Sequence, residues 1–379
     1  MHEGMTALGL MSGTSMDGID VAVISTDGEH LFARGQGLSY PYSAEERERL
    51  KSAAQAAWRI WGSRSGGSHP DPADMALLEQ VEDELTRAHA DAVNRFLDSF
   101  GIPRSEIKVV GFHGQTVYHD ASRRITRQLG SGALLAKLTG LDVVHHFRAA
   151  DIAAGGQGAP LVPAYHRALS VEVGLDRPVA IVNIGGVANI TFIGADGSVV
   201  AFDTGPGNAL LDDWVQRHTG EPFDRHGALA LRGRVNREVL KRLAAHPYFM
   251  RQPPKSLDRY DFPPLEEAGL SVQDGAATLT EFTAREIAQS ARFLPHAPRL
   301  WVLTGGGAKN PALVQAISKN VSAPVVLADE IGLSSEHLEA EAFAFLAVRS
   351  LRKLPLTYPG TTGVRQPLTG GRLIRAPRR

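Results

Sequence analysis

The chain has 379 residues, more than one hydrophobic core usually organises, and its 43% hydrophobic and 21% charged content is that of an ordinary globular protein with two domains. Lys and Arg total 40 against 41 Asp and Glu, so no basic surplus argues for nucleic acid or an anionic membrane as partner. Cysteine is absent, which excludes disulfides, thiolate zinc sites and a cysteine nucleophile, and no apolar run is long enough to span a bilayer. The residues around Glu3 lack the basic and long apolar regions of a secretory signal, so a cytoplasmic enzyme is expected.

Three short strands are expected first, at Thr6–Met11, Ile19–Ser25 and Leu31–Gln36, with Asp27-Gly28 turning the chain into the third. The first two are joined by a tight polar loop, Ser12–Asp20, built from Ser, Gly, Thr and Asp. Helical spacing takes over from Ser43 to Trp61 and again from about Asp71 to Phe100, where Leu77, Val81, Leu85, Ala88, Ala92 and Phe96 recur three and four apart. The link at 62–72 reads as a surface loop. An apolar strand at Ile107–Phe112 runs into His113-Gly114-Gln115-Thr116. Near residue 150 the passage Asp151–Pro160 is too rich in glycine for regular structure and reads as an interdomain cleft.

Then the opening design returns. Val179–Ile184 and Ile190–Ile193 flank the turn Gly185-Gly186-Val187-Ala188-Asn189, and Val199–Phe202 follows a second turn at Ala195–Ser198. The repeat is one of fold unit rather than of sequence identity. A strand at Leu300–Leu303 leads into Thr304–Gly307, another is expected at Val325–Leu327, and an alanine-rich helix covers about Ser335–Leu351. The tail from Thr357 shows little periodicity.

Three polar, small-residue loops therefore follow strands: Ser12–Asp20, Asp203–Asn208 and Thr304–Gly307. Small residues let backbone N–H groups approach an anion, and aspartates hold a metal through water. Such loops suit a nucleotide held between two domains. Neither a P-loop nor a dinucleotide-binding glycine motif is present, so any phosphate cradle is of the hairpin type. Asp203 ends an apolar strand, where it reads equally as a proton acceptor and as a turn-forming residue bonded to its own loop. His113 reads as a hydrogen-bonding substrate contact. Arg148 serves an anion or an ion pair with Asp151. His145 and His146 are adjacent and would point to opposite sides of a strand, which argues against a shared metal. Glu339 shares a helix face with Phe343 and Leu346, which points it inward.

Seven ordered segments carry a resemblance: Gly9–Asp20 (GLMSGTSMDGID), His113–Thr116 (HGQT), Phe147-Arg148 with Asp151–Pro163 (DIAAGGQGAPLVP), Asn183–Ile190 (NIGGVANI), Phe202–Asn208 (FDTGPGN), Thr304–Ala308 (TGGGA) and Glu339–Ala347 (EAEAFAFLA). Over nearly its full length the chain resembles the anhydro-N-acetylmuramic acid kinase family. The resemblance implies an α/β fold of two RNase-H-like, actin-like ATPase domains with a nucleotide cleft between them. The domains would be 1–147, with the tail at about 352–379 packing back, and 148–351.

The implied reaction uses ATP and Mg²⁺ to open 1,6-anhydro-N-acetylmuramic acid with water and to phosphorylate O6, giving N-acetylmuramic acid 6-phosphate in cell-wall recycling. By similarity, Gly13, Thr14, Ser15, Met16, Asp17, Gly18, Ile19 and Asp20 bind the ATP phosphates, with Asp17 and Asp20 near the magnesium through water. Gly205, Gly207, Asn208, Gly305, Gly306 and Gly307 approach the nucleotide. Asp203 matches the base, and His113, Gln115, Thr116, Arg148, Gln157 and Glu339 line the sugar pocket. A cytoplasmic homodimer with no nucleic-acid or membrane partner completes the expectation.

Some positions depart from the family pattern. His146 stands where an Asp is expected, Leu257-Asp258 where Thr-Gly precedes Arg259, Lys309 where His is common, and Glu336 where Asp is common. His146 and Leu257 bear on sugar recognition. Two other readings are a kinase of the same fold for another amino sugar and a non-catalytic ATP-switched scaffold.

Overall fold

The computed structural model describes residues 3–13, 15–62, 70–257, 261–266 and 269–377; Thr14, the link at 63–69, Asp258 and Arg259 lie outside these. The strands are β1 (Met5–Ser12), β2 (Gly18–Thr26), β3 (Leu31–Pro41), β4 (Ile107–Asp120), β5 (Ile125–Leu129), β6 (Val143–His145), β7 (Val179–Ile184), β8 (Val187–Ile193), β9 (Val199–Pro206), β10 (Leu300–Thr304), β11 (Val325–Leu327) and β12 (Arg372–Ile374). They form two sheets, β12-β6-β4-β1-β2-β3 with β5 paired to β4, and β11-β10-β7-β8-β9. In each, three consecutive strands make an antiparallel meander whose first strand pairs in parallel with the fourth. This is the RNase-H-like order, present twice.

The chain divides into two compact units: Met1–Glu172 with His337–Pro359 and Gly363–Arg379, and Val173–Glu336 with Gly360–Thr362. The boundaries differ from the expected 147/148 and 351/352. Residues 148–172 and the helix Leu338–Leu351 belong to the first unit because that helix packs on β1, β2 and β4. Tyr165, from the helix Pro163–Glu172, then locks onto it by donating to Glu341 and stacking 5.6 Å from Phe345. Asp151–Ala153, expected to be irregular, closes a short helix Ala149–Ala153. The tail supplies β12, antiparallel to β6.

Local chemistry explains the long helices of the first unit. Ser43 and Glu46 form a capping box at the start of Ala44–Trp61. Asp71 caps Pro72–Phe100, with Pro at its start, and Gly101 ends it in the left-handed conformation. Their apolar stripes, with Leu50, Ala53, Leu78, Val81, Leu85 and Phe96, close the core over β1, β2 and β4. In the second unit the helix Val272–Gln289 buries a face of Ala, Thr, Leu and Phe and leaves Glu281 and Arg285 on its outer side.

One buried titratable group makes stability depend on pH. His89 is fully buried against Phe112; its Nδ1–H donates to the Leu85 carbonyl at 2.8 Å, and Nε2 has no partner. Burial pushes it down from 6.5 to about 4. The folded value lies below the unfolded one, so the unfolded chain protonates first, and stability present above pH 6.5 is lost as pH falls toward 4. At pH 5 His89 costs about 2 kcal/mol. Urea midpoints at pH 7.5 and 5 should therefore fall further apart in the wild type than in His89→Leu; equal losses would remove His89 as the cause.

Candidate active site

In the first unit the polar turn is a hairpin between β1 and β2. Met16 N–H donates to the Gly13 carbonyl at 3.1 Å, and Ser15 Oγ donates to Asp17 Oδ1 at 2.8 Å. Met16 adopts φ +54°, sparsely populated for a side chain of its size, while that side chain packs onto the core. It anchors the turn from below and leaves Ser15 and Asp17 exposed above. Ser39 Oγ holds Asp20 Oδ1 at 2.5 Å. Asp17 and Ser15 on the turn and Asp20 at the start of β2 offer only oxygen donors. Such donors suit a hard cation such as Mg²⁺, which takes one or two carboxylates together with water and phosphate oxygens. Among the described residues no group of three or more His, Cys, Asp or Glu gathers as a self-sufficient metal site.

The turn is braced from β4. Ser12 Oγ donates to Gln115 Oε1 at 2.6 Å, and Gln115 Nε2 donates to the Gly13 carbonyl at 3.0 Å. Gln115 is completely buried. With both amide ends engaged in this brace, Gln115 supports the turn that follows β1. Pairing of β1 with β4 shifts register between Leu10↔Phe112 and Ser12↔Gln115, so β4 carries an extra residue at His113-Gly114.

That bulge positions His113. Its Nδ1–H donates to the Gly114 carbonyl at 2.7 Å, which leaves Nε2 to accept from Arg148 Nη2 at 2.9 Å. Burial, reinforced by the Arg148 guanidinium, holds His113 well below its ordinary value. It is a neutral imidazole that fixes an arginine. Arg148 Nη1 also donates to the Gly158 carbonyl at 2.6 Å, while Gly158 N–H donates to Asp151 Oδ1 at 2.7 Å. His119 Nε2–H reaches the Gln157 carbonyl at 2.9 Å. The glycine-rich passage is thus tied to His113, His119 and Asp151 as one rigid loop carrying Arg148 and Gln157. Thr116 is half-buried and accepts from Gln128 Nε2 at 3.3 Å. Glu339 is half-buried at the start of its helix, and the fully buried glutamate there is Glu341.

In the second unit the glycine turns meet at one end of the sheet. Asn208 N–H donates to the Gly185 carbonyl at 2.7 Å and Gly207 N–H to the Gly186 carbonyl at 2.9 Å. Gly305 has φ +82°, and a methyl there would lie 2.2 Å from Asn183 Oδ1, so the turn after β10 admits only glycine. A methyl at Gly307 would lie 2.8 Å from Asn208 Oδ1, which sets the two turns side by side.

Asp203 lies on β9 with 7% of its surface exposed. Pairing of β8 with β9 skips from Asn189↔Asp203 to Ala188↔Gly205, leaving Thr204 as a bulge residue; bulges of this kind re-aim a side chain next to an active site. Asp203 Oδ2 accepts the Leu257 N–H at 2.8 Å, a bond to a distant segment of the chain. Its N–H donates to the Lys255 carbonyl at 3.1 Å, and its carbonyl accepts the Tyr248 hydroxyl at 2.6 Å.

Each unit therefore holds a coherent set. The first carries Gly13, Ser15, Asp17, Asp20, His113, Gln115, Arg148 and Gln157; the second carries Asp203, Gly207, Asn208 and Gly305–Gly307. Tyr248 and Lys255 bond to Asp203, with Glu286 beside Gly205, and none of the three carries a motif that marks it in the sequence. His145 and His146 do not diverge as a strand pair would: His146 takes φ +56°, and the two rings stack 3.9 Å apart. Two departures from the family pattern answer each other, since Lys309 and Glu336 form an ion pair. Leu257 touches Asp203 through its backbone, so its changed side chain leaves that contact intact.

The sequence profile of the anhydro-N-acetylmuramic acid kinase family matches residues 5–376. An anhydro-N-acetylmuramic acid kinase of Nitrobacter winogradskyi is 50% identical over 98% of this chain and 100% of its own length. One of Paramagnetospirillum magneticum is 50% identical over 97% of this chain and 99% of its own. Among solved structures, component A of the Acidaminococcus fermentans (R)-2-hydroxyglutaryl-CoA dehydratase is similar over 92% of this chain and 99% of its own, with 11% identity and a TM-score of 0.45, too remote to bear on function. With a profile and relatives matching almost from end to end, the chain belongs to the anhydro-N-acetylmuramic acid kinase family.

Proposed function

We propose that this chain opens 1,6-anhydro-N-acetylmuramic acid with water and transfers the γ-phosphoryl group of ATP to O6, with Asp203 as the base. Asp203 takes a proton from water as the water oxygen bonds to the anomeric carbon and the C1–O6 bond breaks. The released O6 then takes the phosphoryl group, leaving ADP and the 6-phosphate. The observation that carries the reading is the buried Asp203 carboxylate, presented by a bulge and held at one oxygen by Leu257 N–H.

Ser15 and the backbone of the Gly13–Asp20 turn receive phosphate oxygens, and the glycine turns at Gly185, Gly207 and Gly305 let the nucleotide approach the backbone. Asp17 and Asp20 would hold Mg²⁺ through water, and that ion offsets charge on the transferring group. Arg148, immobilised by His113, hydrogen-bonds the sugar, with Thr116, Gln157 and Glu339 beside it. The family likeness also supports a homodimer working in the cytoplasm in cell-wall recycling, with no nucleic-acid partner. Among the described residues no helix is long and apolar enough to cross a membrane.

The test is turnover in ¹⁸O-labelled water with ATP and Mg²⁺, followed by mass spectrometry. One ¹⁸O in the sugar product together with stoichiometric ADP is expected. A folded protein that leaves this sugar untouched, or a phosphorylated product without label, sinks the reading.

A further inference from the structure

The surroundings of Asp203 are more elaborate than a carboxylate at a strand end needs. Three bonds tie it to one ten-residue segment: its N–H to the Lys255 carbonyl, its carbonyl to the Tyr248 hydroxyl, and its Oδ2 to Leu257 N–H. Tyr248 and Lys255 are themselves 1% and 6% exposed. The Lys255 ammonium is enclosed by aromatic rings, lying 4.6 Å from the Tyr248 centroid, 4.5 Å from Phe293 and 5.7 Å from Phe202, the residue before Asp203. Nζ also donates to the Tyr248 carbonyl at 3.4 Å. A buried ammonium held mainly by π faces is costly unless a negative charge lies near.

We propose that Tyr248 and Lys255 are positioning residues that clamp Asp203, both fixing its backbone, with the buried Lys255 ammonium on the same segment favouring the ionised carboxylate that accepts a proton. This rests on Asp203 being the base. Burial and the neighbouring Asp203 push the Tyr248 phenol far up, so it stays a hydrogen-bond donor throughout the working range. Burial pulls Lys255 down to about 8, helped by Arg292 and Arg251 and opposed by Glu286 and Asp203. Glu286 is pushed up to about 7 by burial, and its Oε1 has no hydrogen-bond partner. The clamp therefore carries its charge at neutral pH.

The experiment measures kcat and KM for the sugar from pH 4 to 9 on the full chain, with thermal unfolding as the folding control. In the wild type kcat should fall on the acid side as the base is protonated. Lys255→Arg, charged throughout, should leave that limb in place. Lys255→Met, without the charge, should move it to higher pH with KM little changed. Tyr248→Phe, which keeps the ring and removes the hydroxyl, should lose about tenfold in kcat with KM held. Glu286→Gln, run alongside, should not move the limb upward. An unmoved acid limb in Lys255→Met together with wild-type kcat in Tyr248→Phe overturns the clamp. If Lys255→Met does not fold, the kcat–KM split of Tyr248→Phe decides. Asp203→Asn separates the two failures: an active Asn variant removes the base assignment itself, whereas an inactive one beside unaffected clamp variants removes only the clamp.

Discussion

Asp203→Asn is expected to lower kcat about a thousandfold while leaving nucleotide binding and thermal stability near wild type. The amide is isosteric and its carbonyl oxygen still accepts the Leu257 N–H, so the bond that aims the side chain survives. The backbone bonds to Lys255 and Tyr248 do not involve the side chain and survive as well. What disappears is the ability to take a proton from water, a contribution usually worth about 10²–10⁴ in rate. Single-turnover formation of the labelled 6-phosphate is the measurement, with ATP affinity taken separately by calorimetry. An Asn variant within tenfold of wild type would mean that the water is activated elsewhere.

The second large effect concerns packing. Gly9 on β1 and Gly111 on β4 are direct register partners under the helix Leu338–Leu351. A methyl at Gly9 would lie 1.7 Å from the Ala340 carbonyl oxygen, and one at Gly111 would lie 2.0 Å from that of Phe343. Both obstacles are helix backbone, which cannot rotate aside as a side chain can. The helix would have to lift off the sheet, opening contacts around Phe343, Phe345 and Leu346, all buried. Gly9→Ala is therefore expected to cost about 3 kcal/mol or more, the upper end of overpacking and a large share of a typical domain's stability. Gly9→Ala with Gly111→Ala should cost less than the sum of the two, because one displacement relieves both clashes. Urea midpoints measure this, and a shift under about 0.5 kcal/mol for Gly9→Ala would show that the helix does not seat there. Because β1 runs straight into the Gly13–Asp20 turn, activity should fall with stability.

Much of the architecture was legible in local patterns. The helices at 44–61 and 72–100 announce themselves through capping residues and three-four spacing, and the two meanders through short apolar runs separated by Asp-Gly and Gly-Gly turns. The helix Val272–Gln289 did not, because its buried face is built largely of Ala, Thr and Gly, whose weak apolar contrast leaves a faint stripe. Nor did β12, three residues whose strand character comes from pairing with β6. The domain boundaries shifted for the same reason: Leu338–Leu351 follows the second meander in the chain but packs on the first.

By itself the sequence determined the α/β class, the duplicated meander, the polar hairpin turn between β1 and β2 and the candidate carboxylate, since each is written in residues adjacent along the chain. The tertiary structure decided what those residues do. It put bulges at His113-Gly114 and at Thr204, turned Gln115 into a brace, made His113 the support of Arg148, and brought Tyr248 and Lys255 onto Asp203 from some 50 residues away. The physical reason is range. Propensity, capping and turn chemistry act over a few residues, whereas hydrogen-bond partnership, burial and the charge around a carboxylate depend on which distant segments the fold presses together.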